Sequence, residues 1–134
     1  KSPKSKEALS VYLTSILTGT VYLPLNSSYT INETIYFIKD DRPSFFICEE
    51  KDINELKPIC DEINCKILSL NKDGSGKLTE SINTYSDYFE PRERNLNDLA
   101  ALLYTSGTTG TPKGIVRERF LLWSNILLNM VKFT

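Results

Sequence analysis

Residues 99–114 read LAALLYTSGTTGTPKG, and this stretch decides how the rest of the chain is interpreted. The first six residues are a short apolar run, which predicts a buried β-strand. Among the ten that follow, three glycines permit positive φ angles and five hydroxyl side chains add small donors. Lys113 adds one positive charge. Because successive backbone N–H groups in such a segment can enclose an anion, the pattern indicates a polyphosphate site.

The spacing differs from that of the Walker pattern, which requires Gly-x-x-x-x-Gly-Lys-[Ser/Thr] at the start of a helix. Here the order is Gly107-x-x-Gly110-x-x-Lys113-Gly114, with Pro112 beside the lysine. Taken from the residues alone, a flexible surface loop between two strands stays open as an alternative, because runs of Gly, Ser and Thr are common in loops.

Residues 104–114 closely resemble the phosphate-loop signature of the adenylate-forming superfamily, which includes acyl-CoA synthetases, luciferases and peptide-synthetase adenylation domains. The resemblance implies that this segment holds the β- and γ-phosphates of ATP while a carboxylate attacks the α-phosphate. It implies that Lys113 is the positively charged partner of the phosphates. The alternative is that Lys113 is a solvated loop lysine. By position, the implied phosphate-binding residues are Thr105, Ser106, Gly107, Thr108, Thr109, Gly110 and Lys113.

Three segments, residues 22–30, 73–76 and 98–104, are most similar to malonyl-CoA synthetases within that superfamily. The resemblance implies ATP and Mg²⁺, an acyl-adenylate formed with release of pyrophosphate, and then a thioester with CoA. The implied substrate is malonate or a similar short dicarboxylate, with a role in fatty acid metabolism; fatty, aromatic or amino acids stay open as substrates. Many members of the superfamily carry Thr-His where this chain has Glu118-Arg119. Either this difference removes a possible polar contact near the site, or these residues are a solvated helix start.

The superfamily's adenine pocket, its Mg²⁺-binding carboxylates, its acyl pocket and its late catalytic lysine have no counterpart in these residues. We therefore expect residues 1–134 to be a partial AMP-binding N-terminal domain, truncated at both ends, with no catalytic residue and no metal ligand of its own. We also expect the isolated chain neither to form adenylates nor to bind ATP tightly. A catalytically inactive truncated fragment stays open as an alternative.

Composition excludes several other classes. The chain is 40% hydrophobic and 25% charged with a formal net charge of −1, so it has no basic field for nucleic acid or anionic membranes. No apolar stretch approaches the roughly 20 residues of a spanning helix, and no signal peptide is visible. These features predict a cytoplasmic protein, with the mitochondrial matrix left open. Without histidine, no Ser-His-Asp arrangement can form from this chain.

The remaining polar clusters give weaker signals. An odd set of three cysteines, Cys48, Cys60 and Cys65, predicts reduced thiols that act as small buried hydrophobes. Residues 71–82 imitate an EF-hand calcium loop, which makes a calcium-binding module a remote alternative. The imitation is poor because Asn71 and Ile82 stand where the first and the bidentate twelfth ligands belong.

The pattern along the chain predicts an α/β fold with a mostly parallel sheet flanked by helices. Gly19 should end the first helix and Pro43 the second, which begins at the capping box Thr30-x-x-Glu33 and turns Ile31, Ile35, Tyr36 and Ile38 inward. Pro58 should end or restart the third. The predicted helices are 5–18, 31–42, 52–62, a turn at 79–82, and 120–131; the predicted strands are 20–25, 44–48, 65–70, 99–104 and 115–116.

Overall fold

The structure is a computed structural model that describes residues 1–86, 88–105 and 113–118. The chain divides into two compact units, Lys1–Val11 with Leu25–Phe89 and Tyr12–Pro24 with Glu90–Thr134. The described elements are, in chain order, α1 (Lys6–Thr18), α2 (Ile31–Asp41), β1 (Phe45–Cys48), α3 (Ile53–Glu62), β2 (Lys66–Ser69), α4 (Lys77–Glu80), β3 (Leu99–Thr105) and β4 (Lys113–Glu118).

The first unit is built on a β–α–β unit. β1 and β2 are parallel, in register from Phe45 opposite Lys66 to Cys48 opposite Ser69, and α3 connects them. This confirms the parallel pairing expected from strands that alternate with helices. The apolar side chains that are almost fully buried come from α2, α3, β1 and the residue directly after β2: Phe37, Ile38, Leu56, Cys60, Cys48 and Leu70.

Local signals set the ends of α2 as predicted. Thr30 Oγ1 accepts a hydrogen bond from the Glu33 N–H at 3.3 Å, and the Glu33 carboxylate accepts one from the Thr30 N–H at 2.7 Å. At the other end, Arg42 takes a left-handed conformation with φ 45°, directly before Pro43. The capping box and the proline therefore mark the two ends of this helix of three turns.

The predicted inward face of α2 was wrong at Tyr36, which is 43% exposed. Its neighbours Thr34 and Phe37 are buried instead, and the ring of Phe37 stacks on Tyr29 with 5.2 Å between centroids. Thr34 is tolerated inside because its hydroxyl donates to the Thr30 carbonyl at 2.8 Å. Apolar residues at three- and four-residue spacing are compatible with two different faces of this helix. Packing determines which of the two faces is buried.

Pro58 does not interrupt α3, contrary to the prediction. The helix runs through it from Ile53 to Glu62. Proline removes one N–H, so the carbonyl of Asn54, four residues earlier, loses its helical partner. Asn54 and Pro58 are both exposed, which leaves that carbonyl accessible to water. The buried face lies on the other side, at Ile53, Leu56, Ile59 and Cys60.

The second unit contains an antiparallel pair, β3 and β4, where a largely parallel sheet was expected. The predicted strand 20–25 is reduced to one residue, Tyr22, which forms a parallel bridge to Ala101. β4 extends to Glu118, so Glu118 ends a strand and does not start a helix; Arg119 lies outside the described residues. The predicted helix 120–131 lies outside the described residues.

Two further helical predictions are confirmed. α1 ends at Thr18, and Gly19 follows with a φ of 74°. The predicted turn at 79–82 corresponds to α4 and a short 3-10 turn, Ile82–Thr84. None of the helices in the described ranges combines the length and the apolar character that crossing a membrane requires.

Candidate functional site

The β3–β4 pair frames the glycine-rich segment. Thr105, the last residue of β3, lies opposite Lys113, the first residue of β4, and Tyr104 lies opposite Gly114. Residues directly opposite one another in an antiparallel pair have Cα atoms about 5 Å apart. The backbone therefore brings the two ends of residues 106–112 together, as in a hairpin. The predicted site residues Ser106, Gly107, Thr108, Thr109 and Gly110 lie outside the described residues.

β3 is held along both of its edges. On the edge away from β4, the Tyr22 N–H donates to the Ala100 carbonyl at 2.9 Å, and the Leu102 N–H donates to the Tyr22 carbonyl at 3.0 Å. Ala100 and Ala101 are each 2% exposed, which is consistent with a strand in the interior of its unit. A strand with neighbours on both edges is a rigid base for the segment that follows it.

The contact at Tyr22 was not evident from the sequence. Its ring meets Tyr12 of α1 edge to face, with 5.2 Å between centroids and 66° between planes. Burial, together with the neighbouring Tyr12, raises the pKa of Tyr22, so its phenol stays protonated. Tyr104 is half-buried.

A shallow open cleft of about 180 Å³ lies in the same unit, between the end of α1 and residues 91–96. Its walls include Ile16, Leu17 and the exposed Arg92 and Arg94. The Arg94 side chain lies over Gly19, where a Cβ atom would come 2.5 Å from its Nε.

Residues 71–82 do not form the helix–loop–helix of an EF-hand, because strand β2 and not a helix precedes them. The Asp73 carboxylate accepts hydrogen bonds from the Ser75 N–H at 3.0 Å and from its hydroxyl at 2.6 Å. These bonds lower the pKa of Asp73 and account for its position in a polar turn. In the part of the chain that the structure describes, no three His, Cys, Asp or Glu residues come together as metal ligands would.

The comparison with protein families decides the assignment. The model of the AMP-binding enzyme family matches residues 2–131. The chain belongs to the AMP-binding enzyme family. This confirms the resemblance inferred from residues 104–114.

Solved structures agree with the family. Apo MatB from Rhodopseudomonas palustris matches with a TM-score of 0.90 and 38% identity over 95% of this chain. ATP-bound MatB from the same organism matches with a TM-score of 0.89 and 40% identity over 94% of this chain. The expected α/β fold is therefore confirmed. In both cases this chain spans 25% of the MatB chain.

Among curated relatives, a dimodular nonribosomal peptide synthase of Bacillus subtilis is 33% identical over 96% of this chain, which spans 5% of that protein. The mitochondrial malonate–CoA ligase ACSF3 of Xenopus laevis is 28% identical over 82% of this chain, which spans 19% of that protein. The chain thus spans a small part of the relatives it matches, and those relatives differ in the reactions for which they are named.

Proposed function

We propose that this chain is part of an ATP-dependent acid–thiol ligase. The enzyme activates a carboxylate, malonate or a similar short dicarboxylate, as an acyl-adenylate and transfers it to CoA. In this proposal residues 1–134 are a partial AMP-binding N-terminal domain of a longer cytoplasmic protein. The observation that carries the proposal is the pairing of Thr105 with Lys113 across antiparallel strands, which brings together the ends of a glycine- and hydroxyl-rich segment.

The chemistry of that segment suits the triphosphate of ATP. The segment offers many N–H and O–H donors and a single lysine, a combination that favours a polyphosphate over a lone carboxylate. The proposed phosphate-binding residues are Thr105, Ser106, Gly107, Thr108, Thr109, Gly110 and Lys113. Their role is to stabilise negative charge as it moves onto the leaving pyrophosphate, which is an electrostatic contribution and needs no proton transfer. The 40% identity to a MatB structure with ATP bound supports this role.

The malonate assignment has support from two directions. Residues 22–30, 73–76 and 98–104 resemble malonyl-CoA synthetases, and one relative is named as a malonate–CoA ligase. The peptide synthase, at higher identity, supports an alternative in which the same fold adenylates an amino acid for a peptide synthetase. Other acyl-CoA synthetases, with fatty or aromatic acids as substrates, are further alternatives.

Mg²⁺ and CoA are proposed to bind to parts of the protein outside this chain. The residues that the structure describes bring no carboxylate cluster together, so they do not fit a Mg²⁺ site, and we assign no step to the metal here. Because the superfamily's adenine pocket, acyl pocket and late catalytic lysine have no counterpart in these residues, we expect the isolated 134 residues to show neither adenylation nor tight ATP binding. Measurable pyrophosphate exchange by the isolated chain would contradict this expectation.

The experiment that tests the proposal is a CoA-thioester assay on the complete protein with ATP and a panel of acids: malonate, methylmalonate, succinate, a fatty acid, benzoate and several amino acids. Thioester formation with malonate in preference to the rest supports the assignment. Adenylation of an amino acid without transfer to CoA would favour the peptide-synthetase alternative. Absence of ATP consumption with every acid would favour the inactive fragment.

A variant tests the phosphate-binding segment itself. In the complete protein, Lys113→Ala should lower kcat/KM for ATP by about tenfold to a hundredfold, because a charge-assisted contact to phosphate contributes roughly 1.5–3 kcal/mol. Lys72→Ala is the matched control, since Lys72 is an exposed lysine of the first unit and far along the chain from the segment. Equal kinetics for the two variants would exclude Lys113 from the site.

A further inference from the structure

Cys60 and Cys65 lie at the two ends of the turn that closes α3. Asn64 adopts a left-handed conformation with φ 59°, and its N–H donates to the Asp61 carbonyl at 3.2 Å. The Cys65 N–H donates to the Cys60 carbonyl at 2.7 Å. This pair of bonds defines a Schellman motif, in which the side chains at the positions of Cys60 and Cys65 commonly contact each other. The helix end thus places two thiols side by side.

Both thiols are buried. Cys60 is 0% exposed and Cys65 is 5% exposed. Burial raises the pKa of Cys60 to about 12, and the neighbouring Cys65 thiol adds to the rise. Burial also raises the pKa of Cys65, against a smaller lowering by the Cys60 thiol. The closed turn therefore holds a pair of neutral thiols, which are poor nucleophiles until the turn opens.

We infer that Cys60 and Cys65 form a redox-sensitive dithiol, which closes to an intramolecular disulfide by exchange with a small disulfide such as glutathione disulfide when the turn after α3 opens locally. This modification site is independent of the proposed ligase activity. Helix ends are among the first parts of a fold to open, so both thiols become accessible in one event.

The exchange takes place in two steps that balance. The thiolate of one cysteine of the pair attacks one sulfur of glutathione disulfide and releases the first glutathione. The thiolate of the other cysteine then attacks the sulfur of the first cysteine and releases the second glutathione. The protein loses two electrons, the glutathione disulfide gains them, and the two thiol protons end on the two glutathione molecules.

Cys48 provides an internal comparison. It is 0% exposed, and burial raises its pKa to about 12, as for Cys60. Its backbone, however, is part of the parallel sheet, where the Leu70 N–H donates to the Cys48 carbonyl at 2.8 Å. A strand that is hydrogen-bonded to a neighbouring strand opens less readily than a helix end, so Cys48 should react later than the pair.

The test is to incubate the folded protein with glutathione disulfide and to follow intact mass and peptide maps. We expect loss of two hydrogen masses and a peptide joined through Cys60 and Cys65, in about tenfold excess over mixed glutathione adducts, because the two thiols are close along the chain and their reaction is intramolecular. Cys48→Ala should leave this product unchanged. Cys60→Ala and Cys65→Ala should each give only a mixed adduct. A Cys48–Cys60 cross-link, or mixed adducts alone in the unmutated protein, would overturn the inference.

Phenylarsine oxide gives a second measurement that needs no oxidant. It bridges two neighbouring thiols with release of one water, so the unmutated protein and Cys48→Ala should gain one arsenical each. Once reagent bound to a single thiol has been removed, Cys60→Ala and Cys65→Ala should carry no arsenical. Far-UV circular dichroism confirms that each variant is folded. Failure of a folded protein to bind the arsenical under conditions in which the turn exchanges its amide hydrogens would also overturn the inference.

Discussion

Gly76 is the position at which a single methyl group should be most harmful to the first unit. Its φ of 131° and ψ of 173° lie in a region that is open essentially to glycine alone. A Cβ atom at this position would lie 2.5 Å from the Ser69 carbonyl oxygen and 2.8 Å from its carbon. Both are backbone atoms of β2, which cannot move without disturbing the parallel sheet.

Gly76→Ala should therefore destabilise the fold by about 4 kcal/mol, the sum of roughly 1–3 kcal/mol of backbone strain and a similar cost of overpacking. Gly74→Ala is the matched control. Gly74 also has a positive φ, 84°, but its new methyl group would meet the Glu7 carboxylate at 2.8 Å, at the flexible end of a side chain. The control should lower the free energy of unfolding by about 1–2 kcal/mol, the penalty for an alanine in the left-handed backbone region.

The assay is urea unfolding followed by far-UV circular dichroism, with the free energy of unfolding obtained by linear extrapolation. Amide hydrogen exchange in β2 and α4 shows whether the loss is local to the contact. If the two alanine variants lose the same free energy, the close approach of Gly76 to Ser69 does not determine stability, and the reasoning fails.

Three further perturbations test local features of the same unit. Thr30→Ala removes the hydroxyl bonds of the capping box and should cost about 1 kcal/mol at neutral pH. Hydrogen bonds from Thr30 lower the pKa of Glu33 below 4.5. The contribution of Glu33 to the free energy of unfolding is therefore complete above pH 4.5 and is lost as the pH falls through the lowered pKa. The variant should therefore show a weaker acid dependence of unfolding, and an unchanged acid dependence would contradict the role of the box. Asn64→Gly should stabilise by about 0.5 kcal/mol and Asn64→Val should destabilise by about 1–2 kcal/mol in thermal unfolding, because only the β-branched residue is strained at a positive φ; the opposite order would contradict the motif. Leu56→Ala should cost about 2–5 kcal/mol in urea unfolding, whereas Glu55→Ala, its exposed neighbour, should stay within about 0.5 kcal/mol; similar losses would show that α3 is not packed as described.

The features that the sequence determined by itself depend on residues that are close to one another in the chain. The capping box at Thr30 and Glu33, the stop at Gly19 and the apolar strands on either side of α3 predicted helix ends and a parallel β–α–β unit, because caps and turns act within four residues. The motif in residues 104–114 indicated the family in the same way, through contiguous residues.

Only the tertiary structure decided the features that depend on distant partners. It made β3 and β4 antiparallel, reduced the segment around Tyr22 to one bridge with Ala101, buried Phe37 in place of Tyr36, and carried α3 through Pro58. Each of these outcomes depends on which surfaces of the chain pack together. The periodicity of apolar residues does not determine this, because it is compatible with more than one face of a helix or edge of a strand. Packing against the rest of the chain selects one.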